Sequence, residues 1–295
     1  MNGLLVMNHF LKLESFDIMA DMFEKSADRL GISLQRTTNA RLWSFLGGDP
    51  VEAKERLDRS GVGFVLFWDK DVRLAQFLEG CGIRVFNSSS ATEACDDKSL
   101  TYIKLLGKGI NMPETLICPK VFYPDTEPYD GFIESAENIL SYPIVVKECF
   151  GSLGEQVRLA HDRRELEENI KSAGAAPLIL QKFISSSYGR DMRLYVVGGR
   201  VVASMIRRSE NDFRANAAQG ASVSAFDPTE KQIQTAVAAC GALGLDHAGV
   251  DLLFGEDGEP LLCEVNSNAQ FIHLDRAANC RIEDEILKHI ISETA

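Results

Sequence analysis

Positive charge is scarce in this sequence. Its 31 lysines and arginines stand against 43 aspartates and glutamates, a formal net charge of −12. That balance argues against general nucleic-acid binding and against a polybasic membrane anchor, while leaving room for a local basic pocket. No apolar run reaches the length of a membrane span, and the N-terminus has no basic-then-apolar layout of a secretory signal. The seven cysteines are spread out, odd in number and never arranged C-x-x-C, which disfavours zinc and a disulfide framework. They are expected to be small core residues in a reducing cytoplasm. No G-x-G-x-x-G follows the first predicted strand and no Gly-Lys-Ser/Thr closes a phosphate loop, so neither a dinucleotide site nor a Walker A motif is indicated.

What is there reads as alternating strand and helix over residues 1 to about 92. Leu4–Met7, Gly63–Trp68 and Ile83–Phe86 are apolar strands; Phe16–Leu30, stopped by Gly31, and Val72–Leu78, closed by Gly80, have helical spacing. The alternation predicts a small open parallel α/β sheet. Asn8-His9-Phe10 falls past the C-terminal end of the first strand, where ligands of such sheets bind, although a capping or loop role also accounts for it.

Residues 96–109 read as one helix, with Asp96 and Asp97 at its start, Gly107 and Gly109 at its end, and Lys98 opposing the helix dipole in the first turn. Ile144–Lys147 is a strand ending in lysine, followed by Gly151-Ser152-Leu153-Gly154 and a strand at Val157–Leu159. Glycines around a serine let backbone N–H groups wrap an anion, and the lysine adds charge; a plain hairpin has the same pattern. Leu178–Ile184 is the next strand, and Asp191–Val197 and Arg200–Met205 form a hairpin across Gly198-Gly199. Asp191, Arg193 and Tyr195 share a face of it. Arg207, Arg208, Arg214 and Asn216 then occupy a polar connection that could bind phosphate, or could pair with Glu210 and Asp212 in water. Ala-rich residues 229–243 and residues 282–291 are predicted helices.

The densest chemistry lies at Asp251–Asn266. Two apolar runs flank Asp257-Gly258, a strong hairpin signal. A two-residue turn there would pair Glu256 with Glu259, Asp251 with Glu264, and place Asn266 on the face of Glu264. Two carboxylates facing each other among Val and Leu need a cation between them, and an oxygen-rich Asp/Glu/Asn set suits Mg2+ or Mn2+. A frayed strand, or a register shifted by two, would instead leave the acids in water.

Taken in order, Asp97-Lys98, Val145-Val146-Lys147, Gly151–Gly154, Gln181–Ile184, Asp191-Met192-Arg193, Phe213–Asn216, Gly249-Val250-Asp251 and Glu264-Val265-Asn266 resemble the ATP-grasp superfamily, and within it the RimK-type α-L-glutamate ligases. The resemblance covers residues 95 to 275. It implies an ATP-grasp fold of mixed α/β and α+β class with an N-terminal Rossmann-like domain at 1–94 and two ATP-grasp lobes at 95–180 and 181–295. It implies that Lys98 and Lys147 contact the nucleotide, that Gly151, Ser152 and Gly154 close over the phosphates, and that Gln181, Lys182, Phe183 and Ile184 form the hinge that reads adenine. Asp191 would lie near the ribose, with Arg193 beside it. Lys147, Arg214 and Asn216 would serve the reacting groups, and Asp251, Glu264 and Asn266 would hold the metal.

The activity implied is ATP-dependent ligation of a carboxylate to an amine through an acyl phosphate, with ADP and phosphate released. The amine would be glutamate or another amino acid, and the acceptor a protein, peptide or cofactor. Two departures bear on this. Lys182 stands where the family commonly has Glu, and Ser267-Asn268-Ala269-Gln270-Phe271 replaces the usual Ser/Ala-Ser-Pro-Gly beside the acceptor pocket, which puts glutamate in question. The alternative is a non-catalytic ATP-binding regulatory module; keeping both lysines and all three acid or amide ligands argues against it. No nucleic acid or membrane partner is expected, and an oligomer is compatible with the sequence.

Overall fold

Short runs of Leu, Val and Phe set the first sheet. In the computed structural model, which describes residues 1–42, 61–151, 154–215 and 220–294, these runs form β1 (Asn2–Met7), β3 (Phe64–Trp68) and β4 (Arg84–Phe86). With β2 (Ser33–Thr38) they make a four-stranded parallel sheet of order β2-β1-β3-β4. β1 has neighbours on both sides, so the strand order reverses there. β2 escaped the sequence because Ser-Leu-Gln-Arg-Thr-Thr has one large apolar residue and is only half-buried. The flanking helix runs Glu14–Leu30 and stops at Gly31, whose φ of 71° is the left-handed conformation that a glycine adopts without a Cβ penalty.

The helix expected over 96–109 runs Lys98–Leu105, shorter at its C-terminal end, and a separate helix, Ser89–Asp96, precedes it. Asp97 separates them in extended conformation, and its carboxylate accepts from the N–H groups of Ser99 (2.8 Å) and Leu100 (3.3 Å). An N-cap of this kind is worth about 1 kcal/mol and starts a new helix rather than continuing the old one. Lys98 is therefore its first residue, and its backbone N–H is bonded to Cys149 O at 3.0 Å.

The second sheet is antiparallel, ordered β5-β8-β6-β7 from β5 (Thr115–Ile117), β6 (Ile144–Glu148), β7 (Val157–Ala160) and β8 (Leu178–Lys182). Helices Asp130–Leu140 and Arg163–Ser172 cover one face, where Ile144, Val146, Leu178 and Leu180 pack with Ile133 and Leu166. By the period of two, Val145, Lys147 and Gln181 face the other way.

The third sheet is ordered β11-β10-β9-β12-β13 and built from β9 (Arg190–Val197), β10 (Arg200–Arg208), β11 (Ser222–Ala225), β12 (His247–Phe254) and β13 (Pro260–Asn266). Helix Glu230–Leu243, with a Thr229/Gln232 capping box, packs against Met192, Leu194 and Val196. The opposite face of β9 presents Asp191, Arg193 and Tyr195. Tyr195 joins Phe23, Trp68 and Phe271 in a core that ties the third sheet to the first. Each such fully buried ring contributes roughly 1.5–3 kcal/mol.

Two local expectations are corrected. Asp257 and Gly258 do not form a two-residue turn: Phe254 pairs with Pro260, and Gly255–Glu259 is a longer connection with positive φ at Asp257 and Gly258. A bulge leaves Cys263 unpaired and restores the register, so Asp251 still faces Glu264. Arg207 and Arg208 lie in β10, opposite Asp191 and Arg190, and not in a polar loop. No helix among the described residues is long and apolar enough to cross a membrane.

Candidate active site

Where the three sheets meet, they enclose a cleft of about 750 Å³. Lys98, Lys147, Gly151, Gly154, Gln181, Lys182, Phe183, Ile184, Asp191, Arg193, Arg214, Asp251, Glu264 and Asn266 all line it. Ser152 and Asn216 lie outside the described residues.

Lys147 is 8% exposed, and its ammonium donates to Gln181 Oε1 at 2.7 Å with Cys263 Sγ at 3.8 Å. Gln181 in turn donates to the hydroxyls of Tyr102 (2.6 Å) and Thr115 (2.9 Å). Gln181 is thus a buried bracket that holds Lys147 extended into the cleft. An ammonium with one neutral acceptor and no carboxylate partner among the described residues is poised for a ligand anion. Lys182 turns outward to Glu114 at 2.6 Å, so on this strand end only its backbone remains toward the cleft. Beside it Phe183 packs edge-on against Tyr188 and Phe213, giving an aromatic wall.

Four charges alternate across β9, β10 and β12. Asp251 Oδ1 and Oδ2 accept from Arg193 Nε (2.6 Å) and Nη2 (2.7 Å), and Arg207 Nη2 lies 2.9 Å from Oδ2. Arg207 also binds Asp191 through two bonds of 2.7 Å. The register puts Asp191 across from Arg207 and Arg193 across from Asp251, so the network follows directly from strand pairing. Burial pushes the Asp251 carboxyl up, but Arg193 and Arg207 outweigh it and hold it down at about 2. For Asp191 burial wins over Arg207, and its carboxyl sits above the usual range. For Arg207, Asp251 and Asp191 together outweigh the desolvation that would lower its pKa, so it stays charged.

The charge of Asp251 is therefore balanced by protein. Glu264 is different: its side chain is 29% exposed and its nearest cation, Lys98 Nζ, is at 3.5 Å. Among the described residues no three His, Cys, Asp or Glu side chains gather as a metal cluster. A carboxylate has about four lone-pair directions, and Asp251 has given three to guanidinium N–H groups. One remains, and with Glu264 and Asn266 it makes an all-oxygen set that fits a hard divalent cation.

Arg214 pairs with Asp212 at 2.7 Å and donates to the carbonyls of Gly154 (2.5 Å) and Val157 (3.3 Å), which ties it to the edge of the glycine segment. Four features of the cleft and of the residues behind it are not legible in the sequence. Arg207 was assigned to a loop; Tyr102 sits in a helix with no motif; the ion pair of Lys70 with Asp96 (2.6 Å) and the acid Asp69 carry no pattern signal. For Asp69 its position after a buried strand was the available clue.

A model of the RimK-like ATP-grasp domain matches residues 95–290. The probable alpha-L-glutamate ligase of Aliivibrio fischeri (strain MJ11) is 33% identical over 83% of this chain and 79% of its own length. Human beta-citrylglutamate synthase B is 34% identical over 76% of this chain, which spans 57% of that protein. In fold, the chain resembles a solved structure of the ATP-grasp ligase PsnB complexed with a phosphomimetic variant of minimal precursor, Mg and ADP, with a TM-score of 0.72, 17% identity, and 99% and 98% of the two chains covered.

Proposed function

The chain belongs to the RimK-like ATP-grasp family and is an ATP-dependent carbon–nitrogen ligase of that type, and on that premise we propose that glutamate is the amine it joins to a carboxylate. The names of its relatives support glutamate, against the departure at Asn268-Ala269-Gln270, which lines the cleft; the carboxylate partner is a small molecule, a peptide or a protein tail. The observation that carries the proposal is one cleft holding two lysines, the glycine segment, and an acid–amide set opposite a pre-paired aspartate.

In this reading residues 1–94 form the N-terminal domain, and 95–180 and 181–295 the two lobes that clasp ATP. The backbone of Lys182–Ile184 meets adenine, with Asp191 toward the ribose. Lys98 and Lys147 lie along the phosphates, and Gly151, Ser152 and Gly154 cover them, which keeps water from an activated acyl group. Mg2+ held by Glu264, Asn266 and the free lone pair of Asp251 would neutralise phosphate charge. Phosphoryl transfer to the carboxylate needs positioning and charge balance more than covalent help from protein. Lys147 and Arg214 supply the balance, and Asn216 orients the acyl group. The ammonium of the amino acid gives one proton to solvent, and the neutral amine then forms the C–N bond as the C–O bond to phosphate breaks and its second proton leaves with the departing phosphate. Seven unpaired cysteines are consistent with a cytoplasmic setting.

The test is ADP release with L-glutamate and a panel of carboxylates, including citrate, N-acetyl amino acids and peptides ending in glutamate. Amide product formed in proportion to ADP supports the proposal; ADP release that is indifferent to any amine would overturn it.

A further inference from the structure

Asp69 follows β3 and is 6% exposed, yet it lines the cleft. Its Oδ1 accepts from Asn8 Nδ2 at 3.0 Å and from the backbone N–H of Lys70 at 2.7 Å, its Oδ2 has a long bond of 3.3 Å to the same Asn8 amide, and the backbone N–H of Asp71 also reaches the carboxylate. The Asn8 amide is fixed in that orientation, because its Oδ1 accepts from the N–H groups of Phe10 (2.8 Å) and Leu11 (3.1 Å). Among the described residues no cation pairs with Asp69. The ammonium of Lys70, next in sequence, is turned to Asp96. Burial accordingly raises the Asp69 carboxyl above its usual range, with the N–H groups of Asn8, Lys70 and Asp71 pulling it partly back and the Asp71 charge adding to the rise.

Asn8 directly follows β1 and Asp69 directly follows β3, adjacent parallel strands on either side of the point where strand order reverses. In open α/β sheets that crevice, outside the carboxyl ends of the strands, is where ligands bind. Here it opens into the same cleft as Glu264 and Asn266.

A buried carboxylate without a counter-ion is costly, and the deficit is made good by a cation that arrives with the ligand. We propose that Asp69, oriented by Asn8, is the subsite that receives the ammonium group of the amino-acid substrate. The proposal rests on the ligase reading and adds to it which wall of the cleft selects an amine-bearing substrate. A carboxylate or phosphate at this place would meet like charge, and a neutral amide would leave the deficit in place.

The test joins binding with kinetics. Calorimetry with a non-hydrolysable ATP analogue present uses glycine, L-alanine, L-glutamate and N-acetyl-L-glutamate as probes. Wild type binds at least one free amino acid, and L-glutamate at least tenfold more tightly than its acetylated form. Asp69→Asn abolishes that discrimination and raises KM for the amino acid tenfold or more, with KM for ATP within twofold of wild type. Asp69→Glu, which keeps the charge, retains part of the discrimination. If Asp69→Asn does not fold, Asn8→Ala is expected to shift the same two quantities in the same direction. The proposal is overturned if no amino acid binds wild type, if the variants match wild type, or if free and acetylated glutamate weaken equally. Amino-acid binding that depends on Asp69, without ADP release, would instead support the subsite and overturn the ligase reading alone.

Discussion

Removing Arg207 is the most informative single perturbation of the charged face. Arg207 is 6% exposed, and its guanidinium stands between the buried carboxylate of Asp251 and the largely buried one of Asp191. In Arg207→Met, Asp251 keeps its two bonds to Arg193, whereas Asp191 loses the arginine that bonds both its oxygens. Stranding one buried charge costs about 3–5 kcal/mol. For a protein of this size that corresponds to a fall in melting temperature of roughly 5–8 °C. The pH dependence has a definite sign. The Asp191 carboxyl already sits above its ordinary value, and without Arg207 it rises further. The folded variant then binds more protons than the unfolded chain between the two pKa values, so its stability falls as pH rises through that window. The deficit relative to wild type is expected to be larger at pH 8 than at pH 5, and Arg207→Met/Asp191→Leu should recover more than half of it. Thermal melts of the three proteins at both pH values provide the check. A deficit under 2 °C, a deficit independent of pH, or no rescue would refute the account of a charge-balanced network.

Glu264→Gln should leave the melting temperature of the protein alone within about 2 °C, because a partly exposed pair with Lys98 is worth at most about 1 kcal/mol, and should remove most of the stabilisation by Mg-ATP; a full ligand-induced shift in the variant would remove Glu264 from the metal set. Lys147→Met is expected to cut the rate of ADP release by about a hundredfold or more with the fold retained, since a neutral acceptor is all it leaves behind; near-normal turnover would exclude it from the phosphate site. Burial holds His247 at about 4, below its ordinary value, so the unfolded chain binds the extra proton and stability falls as pH drops from 6.5 toward 4, by about 3 kcal/mol at the limit. His247→Phe should flatten that part of the acid-unfolding curve, and an unchanged curve would refute the assignment.

Much of the fold was written in patterns that the chain displays locally. Alternating apolar strands and helices announced the parallel sheet, and Gly198-Gly199 the β9–β10 hairpin. The facing of Asp251 and Glu264 was also legible, though by two errors that cancel: the connection at Gly255–Glu259 is longer than a two-residue turn, and the Cys263 bulge restores the offset. What the sequence could not disclose is which charges meet. Arg207 and Arg193 belong to different strands from Asp251, and only the sheet order brings their guanidinium groups to it. The expectation that a metal alone relieves an Asp251–Glu264 repulsion is corrected accordingly. The helix start expected at Asp96-Asp97 is where Lys98–Leu105 begins, whereas the helix ahead of it, Ser89–Asp96, has no reading in the sequence. The ordered motifs of the ATP-grasp resemblance located the cleft; the buried acid at Asp69 lay outside every one of them.

The central claim is that this chain activates a carboxylate with ATP and passes it to an amine. Once a carboxylate substrate is found by ADP release, the decisive measurement uses that substrate labelled with 18O in both carboxylate oxygens. Mass spectrometry of the released phosphate is predicted to show one 18O per phosphate, matched to ADP and amide product. Unlabelled phosphate, or AMP and pyrophosphate as products, would contradict the account.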